Sequence, residues 1–135
     1  MIPLLLLDTH ILIWWLLGEA GRLGPFFATL IFKSLRQDRP LAVSSISLWE
    51  IAKLSQKGRL LLNAPLDEFL AGIEGSHFVT VLPITASIAA ESVSLGPDFH
   101  RDPADQIIVV TALRHRLRLV TNDQAIRAWG RLDLA

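Results

Sequence analysis

Four short runs of residues with strand character alternate along this chain with longer segments of helical character, and this alternation limits the folds that it can adopt. The runs lie at residues 4–7, 41–45, 78–84 and 118–121. The first of them is continuously apolar, which is typical of a parallel strand that is covered on both faces. Strands that alternate with helices predict a three-layer α/β/α sandwich around a central, mainly parallel sheet.

The segments between the runs have the marks of helices. Gly18 and Gly58 follow two apolar periodic segments, and Pro103 stands at the start of another, as expected at helix ends and helix starts. The predicted helices are 10–17, 25–36, 47–57, 65–73, 85–95, 103–116 and 125–129, with a terminal edge strand at 132–134. The chain has 135 residues and contains no linker or repeat, so we expect one domain over 1–135.

The beginning of the chain is apolar enough to suggest a signal peptide or a membrane span. It lacks a basic leading segment, and Asp8 and His10 interrupt it well short of the roughly 20 apolar residues that a span needs. We therefore predict a buried strand and a buried helix here, with no membrane association. The chain has no cysteine, which excludes disulfides and fits the cytoplasm, where we expect the protein.

The composition points to a covered surface and excludes long-range attraction to nucleic acid. Charged residues make up only 19% of the chain and hydrophobic residues 51%, so we expect a partner or a second copy to cover apolar surface. Basic and acidic residues balance at 13 each. Any phosphate group must therefore be bound by a local patch or by bound cations.

Four carboxylates lie in apolar sequence rather than on a charged face: Asp8, Glu50, Asp105 and Asp123. Asp8 directly follows a predicted strand and Asp123 comes just after another, and the carboxyl ends of parallel strands are where sites form in α/β sheets. An ionised carboxylate in apolar surroundings must be paired, hydrogen-bonded or bound to a cation. Hard divalent cations prefer such oxygen clusters, so the set predicts a site for Mg²⁺ or a similar ion.

Each acid also has a structural explanation. The segment 47–50 matches a capping box, in which Glu50 would only satisfy the first backbone donors of its helix. Asp102 and Asp105 flank Pro103 as an N-cap and a first-turn acid would. Asp8 and Asp123 fit turn or cap positions. Taken singly, these explanations outweigh catalysis. The combination of two acids after strands and two in first helical turns favours a shared site.

Other polar residues give weaker signals. The four histidines are scattered without H-x-x-x-H spacing, so no zinc site is predicted. His100 and Arg101 could hold a phosphate or lie in a solvated loop. The cluster Arg114, Arg116 and Arg118 indicates a solvated helix end or a patch that binds a nucleic-acid backbone. The tryptophans are assigned to core or interface. Serine-hydrolase, P-loop and dinucleotide-binding motifs do not occur.

In their order along the chain, the acidic segments resemble the motifs of PIN domains, the fold of VapC-type toxins of bacterial toxin–antitoxin pairs. The matching segments are Leu-Leu-Asp8-Thr9-His10, residues 44–52 with Trp49 before Glu50, residues 100–105, and Leu119-Val120-Thr121-Asn122-Asp123. The resemblance covers nearly the whole chain in the expected order, and the segment 100–105 is its most specific part.

This resemblance implies a function and a set of site residues. It implies a Mg²⁺- or Mn²⁺-dependent endoribonuclease toxin that cleaves RNA phosphodiester bonds, is held by a cognate antitoxin inserted into the acidic groove, and forms a homodimer. The implied catalytic and metal-binding acids are Asp8, Glu50, Asp105 and Asp123, with Asp8 and Asp105 as principal ligands, Thr9 and Thr121 as supporting hydroxyls, and Asp102 as an auxiliary acid. Gln106 departs from the family pattern, in which Arg or Ala often follows the acid.

Two other classes of protein remain open on the sequence. A receiver-like signalling domain also has an acidic Mg²⁺ pocket in a parallel α/β fold, but the segment 121–123 supplies no lysine after the last strand. A non-catalytic binding module would use the acids as caps and the apolar surface as a partner groove. RNA cleavage that requires Mg²⁺ and stops on chelation distinguishes the nuclease from both.

Overall fold

The four predicted strands form one parallel sheet in the computed structural model, which describes residues 2–135. The strands are β1 (Leu5–Leu7), β2 (Leu41–Ser44), β3 (Val79–Leu82) and β4 (Arg118–Val120). Their order in the sheet is β3-β2-β1-β4. This order differs from the order 2-1-3-4-5 of receiver-like folds. The receiver-like alternative is therefore wrong.

Helices cover both faces of the sheet. They are α1 (Thr9–Leu16), α2 (Ala20–Leu23), α3 (Pro25–Arg36), α4 (Ser45–Gln56), α5 (Leu66–Glu74), α6 (Ala86–Ser92), α7 (Pro103–His115) and α8 (Gln124–Trp129). Alternate residues of the strands face opposite ways. Leu5 and Leu7 pack in the core with α1, α3 and α5, whereas Leu6 packs in a second core with α7 and α8. This arrangement confirms the predicted three-layer α/β/α sandwich.

The apolar beginning of the chain is a strand followed by a helix, as predicted. All three residues of β1 are buried, and α1 buries Ile11 and Leu12 against the same core. None of the helices within residues 2–135 has both the length and the apolar character needed to cross a membrane. The short helix α2 was not predicted, because a single turn of four residues is too short to show helical periodicity.

The structure corrects the predicted start of α4. The helix begins at Ser45, and its N-cap is Ser44, whose hydroxyl accepts a hydrogen bond from the backbone N–H of Ile46 at 3.2 Å. β2 runs directly into this helix without a loop, so the cap is the last residue of the strand. The capping box at 47–50 is therefore wrong, as is the placement of Glu50 in the first turn. Glu50 lies in the second turn.

The end of the chain pairs with the outer edge of β4. The N–H of Leu119 donates to the carbonyl of Asp133 at 2.9 Å, and the N–H of Ala135 donates to the carbonyl of Leu119 at 3.0 Å. Leu134 thereby forms a single parallel bridge with Leu119. The edge strand predicted at 132–134 is reduced to this bridge, which covers β4 on the side away from β1.

Candidate active site

A solvent-open cleft lies at the carboxyl ends of β1, β2 and β4, with a volume of about 360 Å³. Its lining residues are Asp8, Thr9, His10, Ile11, Trp14, Glu50, Asp102, Asp105, Asn122 and Asp123. The structure thus brings together all four acids that the sequence singled out, along with Asp102. They come from opposite ends of the sequence because β1 lies between β2 and β4 in the sheet.

Asp8 is fixed by the register of two neighbouring strands. Leu7 is paired with Val120, so the residues that follow them, Asp8 and Thr121, are also neighbours. The hydroxyl of Thr121 donates to Asp8 Oδ2 at 2.6 Å, and the N–H of Thr9 donates to Asp8 Oδ1 at 2.8 Å. Asp8 is only 7% exposed, but each of its carboxylate oxygens accepts a hydrogen bond from the protein.

Glu50 is held by a chain of hydroxyl groups. The hydroxyl of Thr9 donates to Glu50 Oε1, and the same Thr9 oxygen lies 2.8 Å from Ser47 Oγ. Since the single Thr9 proton goes to Glu50, the Ser47 hydroxyl donates to Thr9. Ser47 and Glu50 are three residues apart on one face of α4. This role of Ser47 was not predicted, because in the sequence the residue fits the first position of a capping box.

Asp102 and Asp123 are both N-caps and cleft residues. Asp102 Oδ1 accepts from the N–H groups of Ala104 and Asp105 at 3.0 and 3.2 Å, and so caps α7. Asp123 Oδ1 accepts from the N–H of Ile126 at 3.0 Å and caps α8. Asp105 lies in the first turn of α7, as predicted. Capping and a position in the cleft are therefore compatible for these residues.

The electrostatics of the acids differ in a systematic way. Burial raises the pKa of Asp8 and of Glu50, but hydrogen bonds from Thr121 and Thr9 oppose that rise. Burial, and after it the negative charges of the surrounding acids, Asp8 first, together raise the pKa of Asp105 to about 8. No hydrogen bond lowers it. The Asp105 carboxyl therefore keeps its proton at neutral pH unless a positive charge balances it.

His100 belongs to this acidic cluster, a position that the sequence analysis did not predict. Its Nε2 atom lies 3.3 Å from Asp105 Oδ2. Together, His100, Asp105 and Asp123 place one potential ligand atom each within 4.8 Å of one another. The sequence considered His100 only as a phosphate contact or a loop residue. The sequence signal that could have indicated this position is that His100 precedes Asp102, a cap that lines the cleft, by only two residues.

The arginine cluster at the end of α7 does not contribute to the cleft. The cleft lies at the beginning of α7, whereas Arg114 and Arg118 lie at and just beyond its other end. Arg114 pairs with Glu91 at 3.0 Å, and Arg118 pairs with Asp133 at 3.6 Å. Of the two interpretations that the sequence left open, the structure favours the solvated helix end.

Comparison with known proteins places this chain in a family. The profile of the PIN domain matches residues 5–132. The chain is 36% identical over 123 residues to "Ribonuclease VapC22" of Mycobacterium tuberculosis, which covers 91% of this chain and 89% of that protein. The chain therefore belongs to the PIN domain family, and the resemblance noted in its motifs is confirmed.

Solved structures show the same fold. A toxin–antitoxin complex from Klebsiella pneumoniae contains a chain that superposes with a TM-score of 0.60 at 25% identity, over 96% of this chain and 94% of that one. A chain of VapBC2 from Rickettsia felis, bound to a DNA fragment from its promoter, superposes with a TM-score of 0.70 over 100% of this chain and 98% of that one. At 19% identity, the second likeness bears on the fold alone.

Proposed function

We propose that this protein is a divalent-cation-dependent endoribonuclease, the toxin of a toxin–antitoxin pair. The observation that carries the proposal is the convergence of four acids in one cleft at the carboxyl ends of the strands. The similarity to the mycobacterial ribonuclease and to a chain of the Klebsiella toxin–antitoxin complex supports the reaction and the biological setting. Because its substrate is RNA, we place the activity in the cytoplasm.

We propose Asp8, Glu50, Asp105 and Asp123 as the residues that hold Mg²⁺ or Mn²⁺. The donor set fits, since all four offer the carboxylate oxygens that hard cations prefer. Asp105 gives the strongest indication, because its carboxyl is half-buried, accepts no hydrogen bond that would lower its pKa, and has that pKa raised to about 8. A cation beside Asp105 would stabilise the negative charge of its carboxylate and so lower its pKa and restore the ionised form.

A bound cation would supply a lowered pKa for the attacking water and would neutralise charge on the phosphate. The protein supplies orientation. Thr121 and the N–H of Thr9 fix the two oxygens of Asp8, and the Thr9 hydroxyl fixes one oxygen of Glu50. Carboxylates that are held in this way need little reorganisation when they bind a cation. We assign Thr9 and Thr121 as positioning residues and Asp102 as an auxiliary acid at the cleft.

The decisive test is the substitution Asp8→Asn, measured on a mixed RNA substrate with Mg²⁺, with Mn²⁺ and with EDTA. Wild-type protein should cleave RNA with either cation and lose the activity on chelation, and Asp8→Asn should abolish it. The control is Asp67→Asn, which changes an exposed acid on α5. A wild-type protein that cleaves no RNA, or an Asp8→Asn variant that cleaves at the wild-type rate, would favour the non-catalytic binding module.

We also propose that the protein forms a homodimer and binds a cognate antitoxin. The low content of charged residues supports this, as do large apolar side chains that α3 leaves exposed, Phe26 at 66% and Phe32 at 60%. Light scattering of the purified chain should give the mass of a dimer, and the antitoxin encoded beside it should inhibit RNA cleavage. A strictly monomeric chain at micromolar concentration would contradict the homodimer.

A further inference from the structure

The imidazole of His100 lies beside the acids of the cleft, and its surroundings indicate that its Nε2 atom binds a ligand rather than making a structural contact. Its Nε2 atom is closed off from solvent, and it has no hydrogen-bond partner of acceptable geometry within residues 2–135. It lies 3.3 Å from Asp105 Oδ2, but that approach does not have the geometry of a hydrogen bond. Buried polar atoms without a partner are rare in folded proteins and call for an explanation.

A ring stack and a backbone hydrogen bond hold His100 in this position. The ring of Phe99 stacks on it with a centroid separation of 4.6 Å and an interplanar angle of 22°. The backbone carbonyl of His100 accepts a hydrogen bond from Gln106 Nε2 at 3.3 Å, which ties the loop to α7. Gln106 is the residue at which the chain departs from the usual family pattern, and here its side chain supports His100.

We propose that His100 Nε2 is a direct ligand of the divalent cation, together with carboxylate oxygens of Asp105 and Asp123. The proposal rests on the metal dependence proposed above and specifies the ligands of that same site. The three potential ligand atoms already lie within 4.8 Å of one another. Two ligands bound at about 2.1 Å from one ion lie at most about 4.2 Å apart, so an adjustment of less than about 1 Å brings them into range.

A nitrogen ligand has a consequence for the choice of metal. Mg²⁺ binds almost entirely through oxygen, whereas imidazole is a good ligand for first-row transition metals. A site made of one imidazole and two carboxylates therefore favours Mn²⁺ over Mg²⁺, relative to a site made of carboxylates alone. The competing explanation is that His100 only contacts Asp105. In that case the imidazole competes with the cation for the Asp105 carboxylate, and removal of the imidazole should tighten cation binding.

The test is the electron spin-echo spectrum of Mn²⁺ bound to the protein, because it detects a nitrogen that is coordinated directly to the metal. Wild-type protein with Mn²⁺ should show imidazole nitrogen coupling, and labelling of its histidines with ¹⁵N should change that coupling as the isotope requires. His100→Gln should lose the coupling. The matched control is His10→Gln, because His10 also lines the cleft but belongs to α1. This control should retain the coupling.

Calorimetry gives an independent measurement on the same proteins. His100→Gln should weaken Mn²⁺ binding by at least about tenfold and Mg²⁺ binding by less than about threefold, so the ratio of the two affinities should fall. Mn²⁺ that binds to wild-type protein without nitrogen coupling would overturn the proposal and leave the metal-dependent nuclease standing. Tighter Mn²⁺ binding in His100→Gln would also overturn it. Failure of wild-type protein to bind Mn²⁺ or Mg²⁺ would overturn both proposals.

Discussion

The two sides of the cleft hold buried acids in opposite ways. On the side of β1 and α4, hydroxyl and N–H donors satisfy Asp8 and Glu50. On the side of α7, Asp105 accepts no hydrogen bond that lowers its pKa, and four neighbouring acids raise it to about 8 together with burial. The first side fixes the geometry of its carboxylates. The second side has an electrostatic deficit, by which we mean that no hydrogen bond compensates the negative charge of Asp105, and a cation would remove that deficit.

The difference follows from the elements that carry the acids. Asp8 stands one residue beyond a strand, where the ladder to β4 brings Thr121 beside it. Asp105 stands in the first turn of α7, a position where free N–H groups could have stabilised its charge. The side chain of Asp102 takes up the N–H groups of Ala104 and Asp105 instead. The half-buried carboxyl of Asp105 therefore lies at a helix start without the stabilisation that free N–H groups usually give there.

In the comparison of the two sides, the largest effect should come from Asp105→Asn, which removes the carboxylate that has no hydrogen bond to lower its pKa. We expect RNA cleavage to fall by more than about 100-fold, because even the loss of a group that supports a metal ligand costs about 10- to 100-fold. The metal-free variant should be more stable than wild-type protein at pH 8, since a buried carboxyl with a raised pKa has been removed. Cleavage assays and thermal unfolding in EDTA measure the two effects. A less stable metal-free variant at pH 8 would contradict the electrostatic deficit.

The pH dependence of the stability of the metal-free protein tests the same electrostatic deficit. Asp105 has an ordinary pKa of 3.8, which applies to the unfolded chain, and a pKa of about 8 in the folded protein. Between these values the folded protein holds a proton that the unfolded chain has released. The metal-free protein should therefore lose stability as the pH rises through this window, by at most about 1.4 kcal/mol per pH unit from this group. Urea unfolding in EDTA at pH 5 and pH 8 measures the loss, and Asp105→Asn should reduce it.

A divalent cation should reverse that loss. Saturating Mn²⁺ or Mg²⁺ should raise the melting temperature, with a free-energy gain of about 3 kcal/mol at a hundred times the dissociation constant. The rise should be larger at pH 8 than at pH 5, because protons compete with the cation for Asp105. It should be small in Asp105→Asn. A rise of equal size at both pH values would place the cation away from Asp105.

The smallest effect on cleavage should come from the side of β1 and α4, where hydrogen bonds already satisfy the carboxylates. Thr121→Val keeps the shape of the residue but removes the hydroxyl that donates to Asp8 and accepts from the N–H of Asp123. We expect a loss of about 1 to 2 kcal/mol in stability and about tenfold in cleavage rate. The matched control is Thr111→Val, also buried, whose hydroxyl donates only to the carbonyl of Ile107 within α7. Equal losses in the two variants would deny Thr121 a special role in the site.

The sequence by itself determined the layered fold and most of the acidic cleft. Apolar runs of strand length and boundaries marked by glycine and proline depend on burial and backbone geometry, which act locally. Asp8 and Asp123 were found because the first directly follows a strand and the second comes just after one, and sites in parallel sheets form at strand ends. The cap at Asp102 was also predicted correctly, and a cap was one of the two explanations left open for Asp123, because an N-cap is defined by its own side chain and the next three residues.

Only the tertiary structure decided which other groups join those acids. Glu50 was assigned to a first turn because several serines in 44–47 could each begin the helix, and only the join between β2 and α4 selects Ser44. Ser47 and His100 gain their roles from contacts with Thr9 and Asp105, which the order of the strands and the path of the loop before α7 bring close. Contacts between residues that are distant in the chain, and the burial that raises the pKa of Asp105, depend on packing between elements, and no local pattern encodes that packing.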